Sequence, residues 1–241
     1  MSERVPRRLK LTYLLPIADL PESCECKNAP LFTADHSQVC QKGGWVIRRH
    51  NDVRDLLARM IGVMAKTQIE PQLHPLEPND SFHYRSANVQ PDARSDILVE
   101  GLFGALQPTY IDVRIVHRQS ATNQPLQLDR VLSTAEDAKK REYAERIQRV
   151  EGGSFVPFVA TSTGILGKEA HALFQHLGRL MAEHSDEPLG ATLSMMRTQL
   201  SFTFVRAAIH CLRGPRKIQY PDTSFLALSA LFAAWHSRAA V

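Results

Sequence analysis

The sequence predicts a mixed α/β fold: a helix, a mixed central sheet, a helix and a further strand, with a small zinc-stapled N-terminal segment and a C-terminal helical extension. Three observations point to it. Val46, His50, Val53, Leu57, Met60 and Met64 recur at three- and four-residue steps, which places them on one face of a helix. Two short β-branched runs, Ile97-Leu98-Val99 and Tyr110-Ile111-Asp112-Val113-Arg114-Ile115-Val116, are separated by Gly101, Gly104 and Pro108, as in a hairpin with a long turn. Ahead of both, three cysteines and a histidine crowd between Cys24 and Cys40.

At 241 residues, 44% hydrophobic and 22% charged, the chain is long enough for one main core with a small attachment. The organisation expected is a loop-rich zinc segment over 1–43, a core over 44–165 and a helical extension over 166–241. Residues 1–43 lack helical periodicity and contain Pro16, Pro21, Pro30 and Gly43, with Gly44 directly after. The first helix then runs from Val46 to near Lys66. Ile69-Glu70-Pro71 reads as a short strand, and Pro71, Pro75 and Pro78 make the stretch to Ala93 mostly irregular. Strands are expected over 95–100 and 109–117. A helix over Leu132–Val150 follows, stopped by Gly152-Gly153, and Ser154–Ala160 forms another strand. Three more helices are expected over 168–184, 190–212 and 222–238, the last capped by Asp222-Thr223.

Charge and hydropathy exclude some functions. No apolar run reaches the length of a bilayer span. The opening Met1–Lys10 stretch has charge but no long apolar region behind it, so an intracellular protein without membrane insertion is expected. The net charge of +4 helps to hold a polyanion but does not identify one.

Cys24, Cys26, His36 and Cys40 supply three soft sulfurs and one imidazole, the ligand set of a closed tetrahedral Zn²⁺ site. In a reducing compartment such crowding favours a metal over disulfides. The first pair is one residue apart rather than the usual two to four. Buried thiols with a surface histidine are the alternative.

Two carboxylates carry the candidate chemistry. Asp96 and Asp112 are each expected inside an apolar strand, where an acid is costly unless paired or metal-bound. Two neighbouring strands can aim both at one Mg²⁺ or Mn²⁺, which would stabilise phosphate charge and activate a water. Glu70, just before Pro71, is a candidate third acid. The alternative is that all three are turn caps or salt-bridge partners. On the helix that follows, Leu132, Ala135, Lys139, Tyr143, Ile147 and Val150 share one stripe, which turns Lys139 inward. There the ammonium can neutralise an attacked phosphate, and Tyr143, one turn on, can hydrogen-bond to it or to the phosphate. A snorkelling lysine beside a core tyrosine is the plainer option. His50 lies on an apolar helix face and reads as a satisfied core histidine.

Taken in order, Cys24-Glu25-Cys26 with His36 and Cys40, Arg49-His50-Asn51-Asp52-Val53-Arg54-Asp55, Glu70-Pro71, Arg94-Ser95-Asp96-Ile97, Ile111-Asp112-Val113-Arg114 and Lys139-Lys140-Arg141-Glu142-Tyr143 resemble the C-terminal region of non-LTR retrotransposon polyproteins. That region pairs a Cys-Cys-His-Cys zinc knuckle with a restriction-endonuclease-like domain of the PD-(D/E)XK superfamily, which nicks target DNA. The resemblance implies a restriction-endonuclease-like core in which Asp96 and Asp112 hold the metal, Lys139 is the displaced lysine, and Cys24, Cys26, His36 and Cys40 bind zinc. Ser95 stands where proline is common, and Arg114 takes the lysine place of the Asp-x-Lys element, where it can hold phosphate but not deprotonate. A register using Asp92 of Pro91-Asp92 is the alternative for the first acid. The Tyr-x-Asp-Asp signature of a polymerase does not occur in the sequence.

The function expected is a divalent-metal-dependent DNA endonuclease, with DNA as partner and the nucleus as its place if it derives from a eukaryotic element. The alternatives are a nucleic-acid-binding remnant that no longer cuts, with RNA as a further ligand, and a self-associating protein whose apolar contacts include Phe202, Phe204, Leu212, Leu226 and Phe232.

Overall fold

The computed structural model describes residues 23–26, 32–77, 81–88, 93–104 and 107–213. Helix α1 is Ala34–Val39 and helix α2 is Trp45–Gly62. Between them Gly43 and Gly44 both take positive φ, 81° and 70°. This left-handed pair is cheap only for glycine and turns the chain into α2. The apolar stripe of α2 buries Val53, Leu57, Met60 and Ile61 against the sheet.

Strands β1 (Thr67–Ile69), β2 (Ile97–Glu100), β3 (Pro108–Val116) and β4 (Ser154–Thr161) form one four-stranded sheet in that order. The first three make an antiparallel meander and β4 runs parallel to β3. A parallel neighbour needs a crossover, and helix α3 (Leu128–Arg146) supplies it. It continues through a wider turn, Ile147–Glu151, and stops at Gly152, whose φ is 64°. Pro157 is tolerated inside β4 because that strand is a sheet edge. Helices α4 (Lys168–Ser185) and α5 (Leu189–Arg213) complete the order.

Side chains alternate across β2 and β3 and sort the layers. Ile97, Val99, Ile111 and Val113 face α2, α4 and α5, sharing one core with Leu173, Phe174, Leu177, Met196 and Phe204. Leu98 and Tyr110 face the other way, toward Tyr143 and Ile147, so α3 covers the opposite face. Covered on both sides, β3 is buried from Thr109 through Val113.

The mixed sheet and the helices after Trp45 appear where hydrophobic periodicity put them, with local differences, whereas α1 falls in the segment expected to be loop-rich. The first helix ends at Gly62 rather than near Lys66. The short strand lies at Thr67–Ile69 and excludes Glu70, whose φ of 51° breaks the extended run before Pro71. Phe204 and Leu212 are buried, whereas Phe202 is exposed. The helix expected over 222–238, with Leu226 and Phe232, lies outside the described residues.

One packing detail gives a prediction. Glu136 of α3 accepts a hydrogen bond from Glu169 N (3.0 Å) and so caps the first turn of α4 from a neighbouring helix. A Cβ on Gly167 would meet Glu136 Oε1 at 2.3 Å. Gly167→Ala should displace this cap and cost about 1–2 kcal/mol, read as a lower urea midpoint.

Candidate functional site

The β2–β3 register pairs Ile97 with Ile111 and Leu98 with Tyr110. Asp112 follows on the face that α3 covers, and Asp96, expected inside the strand, lies instead in the bend just before β2. The ladder ends there, and side chains take over its hydrogen bonds. Ser95 Oγ donates to Ile111 O (3.0 Å), and Val113 N donates to Asp96 Oδ2 (2.6 Å). From α2, His50 Nε2 lies 2.9 Å from Val113 O and 3.1 Å from Asp96 Oδ2.

Lys139 reaches down from α3. Its Nζ is 3.1 Å from Asp112 Oδ2 and 3.1 Å from Glu142 Oε2, and it lies 4.9 Å from the centre of the Tyr143 ring. The approach to Asp112 is an ion pair without hydrogen-bond alignment, which leaves Oδ2 an underused buried acceptor.

Burial dominates the electrostatics. It pushes the Asp112 carboxyl up to about 6; Lys139 offsets part of this, and the Asp96 charge adds to it. Burial also raises Tyr143, with Asp112 and Glu142 adding to the shift, so its phenol stays protonated. His50 is pulled down by burial, but its contact with Asp96 outweighs that and the imidazole titrates above its ordinary value.

The Asp112 shift fixes a sign. Because the folded protein holds this proton more tightly than the unfolded chain, stability falls as pH rises from the ordinary 3.8 to about 6 and is flat above. The cost at neutral pH is about 3 kcal/mol. Without added Mg²⁺ or Mn²⁺, urea midpoints of the wild type should fall over that window by more than those of Asp112→Asn.

Asp96, Asp112, Lys139 and Tyr143 thus come together, joined by His50 and Glu142. Glu70 does not join them. Its N–H donates to Asp96 O (2.9 Å), but its carboxylate pairs with Arg54 of α2. Arg114 lies two residues beyond Asp112 on the same strand face, exposed and without an ion pair among the described residues. Asp92 falls outside the described residues. Glu142 was not read as a site residue, although its place one helical turn after Lys139 is a signal that could have found it. His50 was read as a satisfied core histidine in preference to a catalytic one, because its partner Asp96 is 46 positions away.

The second constellation is the cysteine cluster. Donor atoms of Cys24, Cys26, His36 and Cys40 all lie within 4.8 Å of one another, so the cluster could hold a metal such as zinc. Cys24 Sγ to Cys40 Sγ is 3.7 Å, and Cys26 Sγ to His36 Nε2 is 3.4 Å. Tetrahedral coordination with Zn–S bonds of about 2.3 Å requires edges of roughly 3.8 Å, so the donors fit that ion. Thr33 caps α1 by accepting from His36 N (3.0 Å), which sets the direction of the histidine. Burial, with Cys24 and Cys26 alongside, pushes the Cys40 thiol up to about 11, and a coordinating dication reverses this by binding the thiolate.

Two contacts fasten this segment to the core. Gln38 of α1 accepts from the buried Arg49 through both its side chain (3.1 Å) and its carbonyl (3.0 Å), and donates to Ala208 O of α5 (3.3 Å). His117, just past β3, bridges Asp35 (3.1 Å) and Ser162 (2.8 Å). Ser162 is only 4% exposed, so this Ser–His–Asp series serves as a fastening rather than a nucleophile.

No protein-family model matches the chain, and no curated protein matches it. Among the described residues no helix is long and apolar enough to cross a membrane.

Proposed function

We propose that the protein is a Mg²⁺- or Mn²⁺-dependent DNA endonuclease with a restriction-endonuclease-like core, similar to the target-nicking region of non-LTR retrotransposons and acting in the nucleus if its source is a eukaryotic element. The observation that carries this is the convergence of Asp96, Asp112 and Lys139 from the bend before β2, the middle of β3 and α3. The helix, antiparallel meander, crossover helix and parallel strand agree with such a core.

The donor chemistry fits a hard cation. Asp112 Oδ2 is a buried acceptor lacking an aligned donor, and Asp96 offers a second carboxylate near enough for its charge to act on Asp112. Mg²⁺ typically takes one or two carboxylates and leaves its other positions to water and phosphate oxygens. When bound it would supply Lewis acidity and a more acidic water. Lys139 would neutralise charge on the phosphate. Tyr143 would hold the ammonium over its ring and remain an uncharged donor, and Arg114 would grip the DNA backbone from the exposed end of the same strand face.

A second reading, DNA binding without cleavage, is favoured by two details. Lys139 already lies against Asp112, and Glu70 is committed to Arg54. Incubation of supercoiled plasmid with the protein separates the two. Nicking in Mg²⁺ or Mn²⁺ that is lost in Asp96→Ala and Asp112→Ala supports the nuclease. Salt-sensitive binding without nicking in any divalent metal supports the remnant.

A further inference from the structure

We propose that His50 is a positioning residue for the acid pair, its imidazole N–H holding the Asp96 carboxylate in place where the β2–β3 ladder gives out. This rests on the nuclease reading for its purpose but on geometry for its substance. Ladder pairing stops at Ile97 and Ile111. Upstream of Ile97 the chain turns its hydrogen bonds toward the other side, with Ser95 N donating to Pro71 O (3.2 Å). The two strands part just past that pair, with Asp96 in the bend before β2.

Both backbone groups of Val113, buried in β3, then need partners from side chains. Its N–H takes Asp96 Oδ2 (2.6 Å) and its C=O takes His50 Nε2 (2.9 Å). The same Nε2 is 3.1 Å from Asp96 Oδ2. Since both atoms facing Nε2 are acceptors, that nitrogen carries the proton and divides it between them. Asp96 Oδ2 is therefore held by two donors, while Oδ1 makes no hydrogen bond among the described residues and is left for a cation. Such partners, which orient a ligand without touching the metal, typically matter 10- to 100-fold in affinity or rate.

The test compares His50→Leu, which cannot donate, with His50→Gln, whose side-chain amide places an N–H near the position of Nε2. His50→Leu should raise the Mn²⁺ concentration for half-maximal plasmid nicking by about 10- to 100-fold with little change in KM for DNA, and His50→Gln should recover most of the loss. Independently of cleavage, hydrogen exchange at the Val113 amide should quicken in His50→Leu and return toward wild type in His50→Gln. If His50→Leu does not fold, His50→Asn, whose amide stops short of Val113, replaces it. Equal impairment in the Leu and Gln variants, or an unaltered Mn²⁺ requirement in His50→Leu, overturns the proposal. A wild type that nicks in no divalent metal overturns the nuclease reading alone. Val113 exchange then decides the role of His50, and unchanged protection in His50→Leu counts against it.

Discussion

Asp112→Asn is expected to reduce metal-dependent nicking by more than about 100-fold while leaving the fold at least as stable as the wild type at neutral pH. The two outcomes share a cause. Asp112 is 5% exposed, and burial pushes its carboxyl up to about 6, so its charge opposes folding at pH 7. Asparagine keeps the shape and removes the charge. A side chain retained only to pair with Lys139 would behave differently, because losing it leaves a half-buried ammonium with Glu142 as its remaining carboxylate partner. Nicking rate and urea midpoint on the same preparation distinguish the two: lost rate with an equal or higher midpoint is expected, and lost stability with retained rate contradicts it.

Removal of zinc should have the next largest effect. The α1 helix has six residues, too short to persist alone, and a four-ligand ion would be what closes the segment around it. Zinc binding in comparable small modules is worth roughly 10–16 kcal/mol. Loss of α1 also removes both acceptors that Gln38 offers Arg49, a guanidinium only 2% exposed. Stranding a buried charge costs about 3–5 kcal/mol, and Arg49 precedes His50 in the first turns of α2. Cys26→Ser should therefore lose zinc, lower the melting temperature by many degrees and weaken nicking, although its position is remote in sequence from the acids. One zinc per chain in the wild type and none in Cys26→Ser is expected from elemental analysis. Full zinc content and an unchanged melting temperature in the variant would refute the assignment.

Much of this was legible in the residues because the signals are local. The stripe of Val53, Leu57 and Met60 specifies α2 without reference to anything else, and the β-branched runs specify β2 and β3. The ligand types and number of Cys24, Cys26, His36 and Cys40 identify a metal-capable group before any geometry is known, even though the first pair is spaced unusually. Likewise the stripe Leu132, Ala135, Tyr143 and Ile147 turns Lys139 toward the sheet.

What escaped the sequence depends on pairing across distance. The bounds of strand β1, expected over Ile69–Pro71 and found at Thr67–Ile69, escaped because three residues are too few to show a period and the strand is fixed by β2 beside it. Glu70 looked like a third acid, but its positive φ and the nearness of Arg54 on α2 turn its carboxylate elsewhere. His50 keeps helical spacing with its apolar neighbours, so only the end of the β2–β3 ladder reveals why an imidazole stands there. In the same way, nothing local to Gln38 predicts that it receives Arg49 and reaches α5.

The most direct test is Mn²⁺ titration of the zinc-loaded protein followed by electron paramagnetic resonance, with wild type, Asp96→Asn and Asp112→Asn compared. If the two aspartates share a cation, the wild type takes up one Mn²⁺ per chain and each variant loses that site while keeping its zinc. An identical Mn²⁺ isotherm in all three proteins would contradict it.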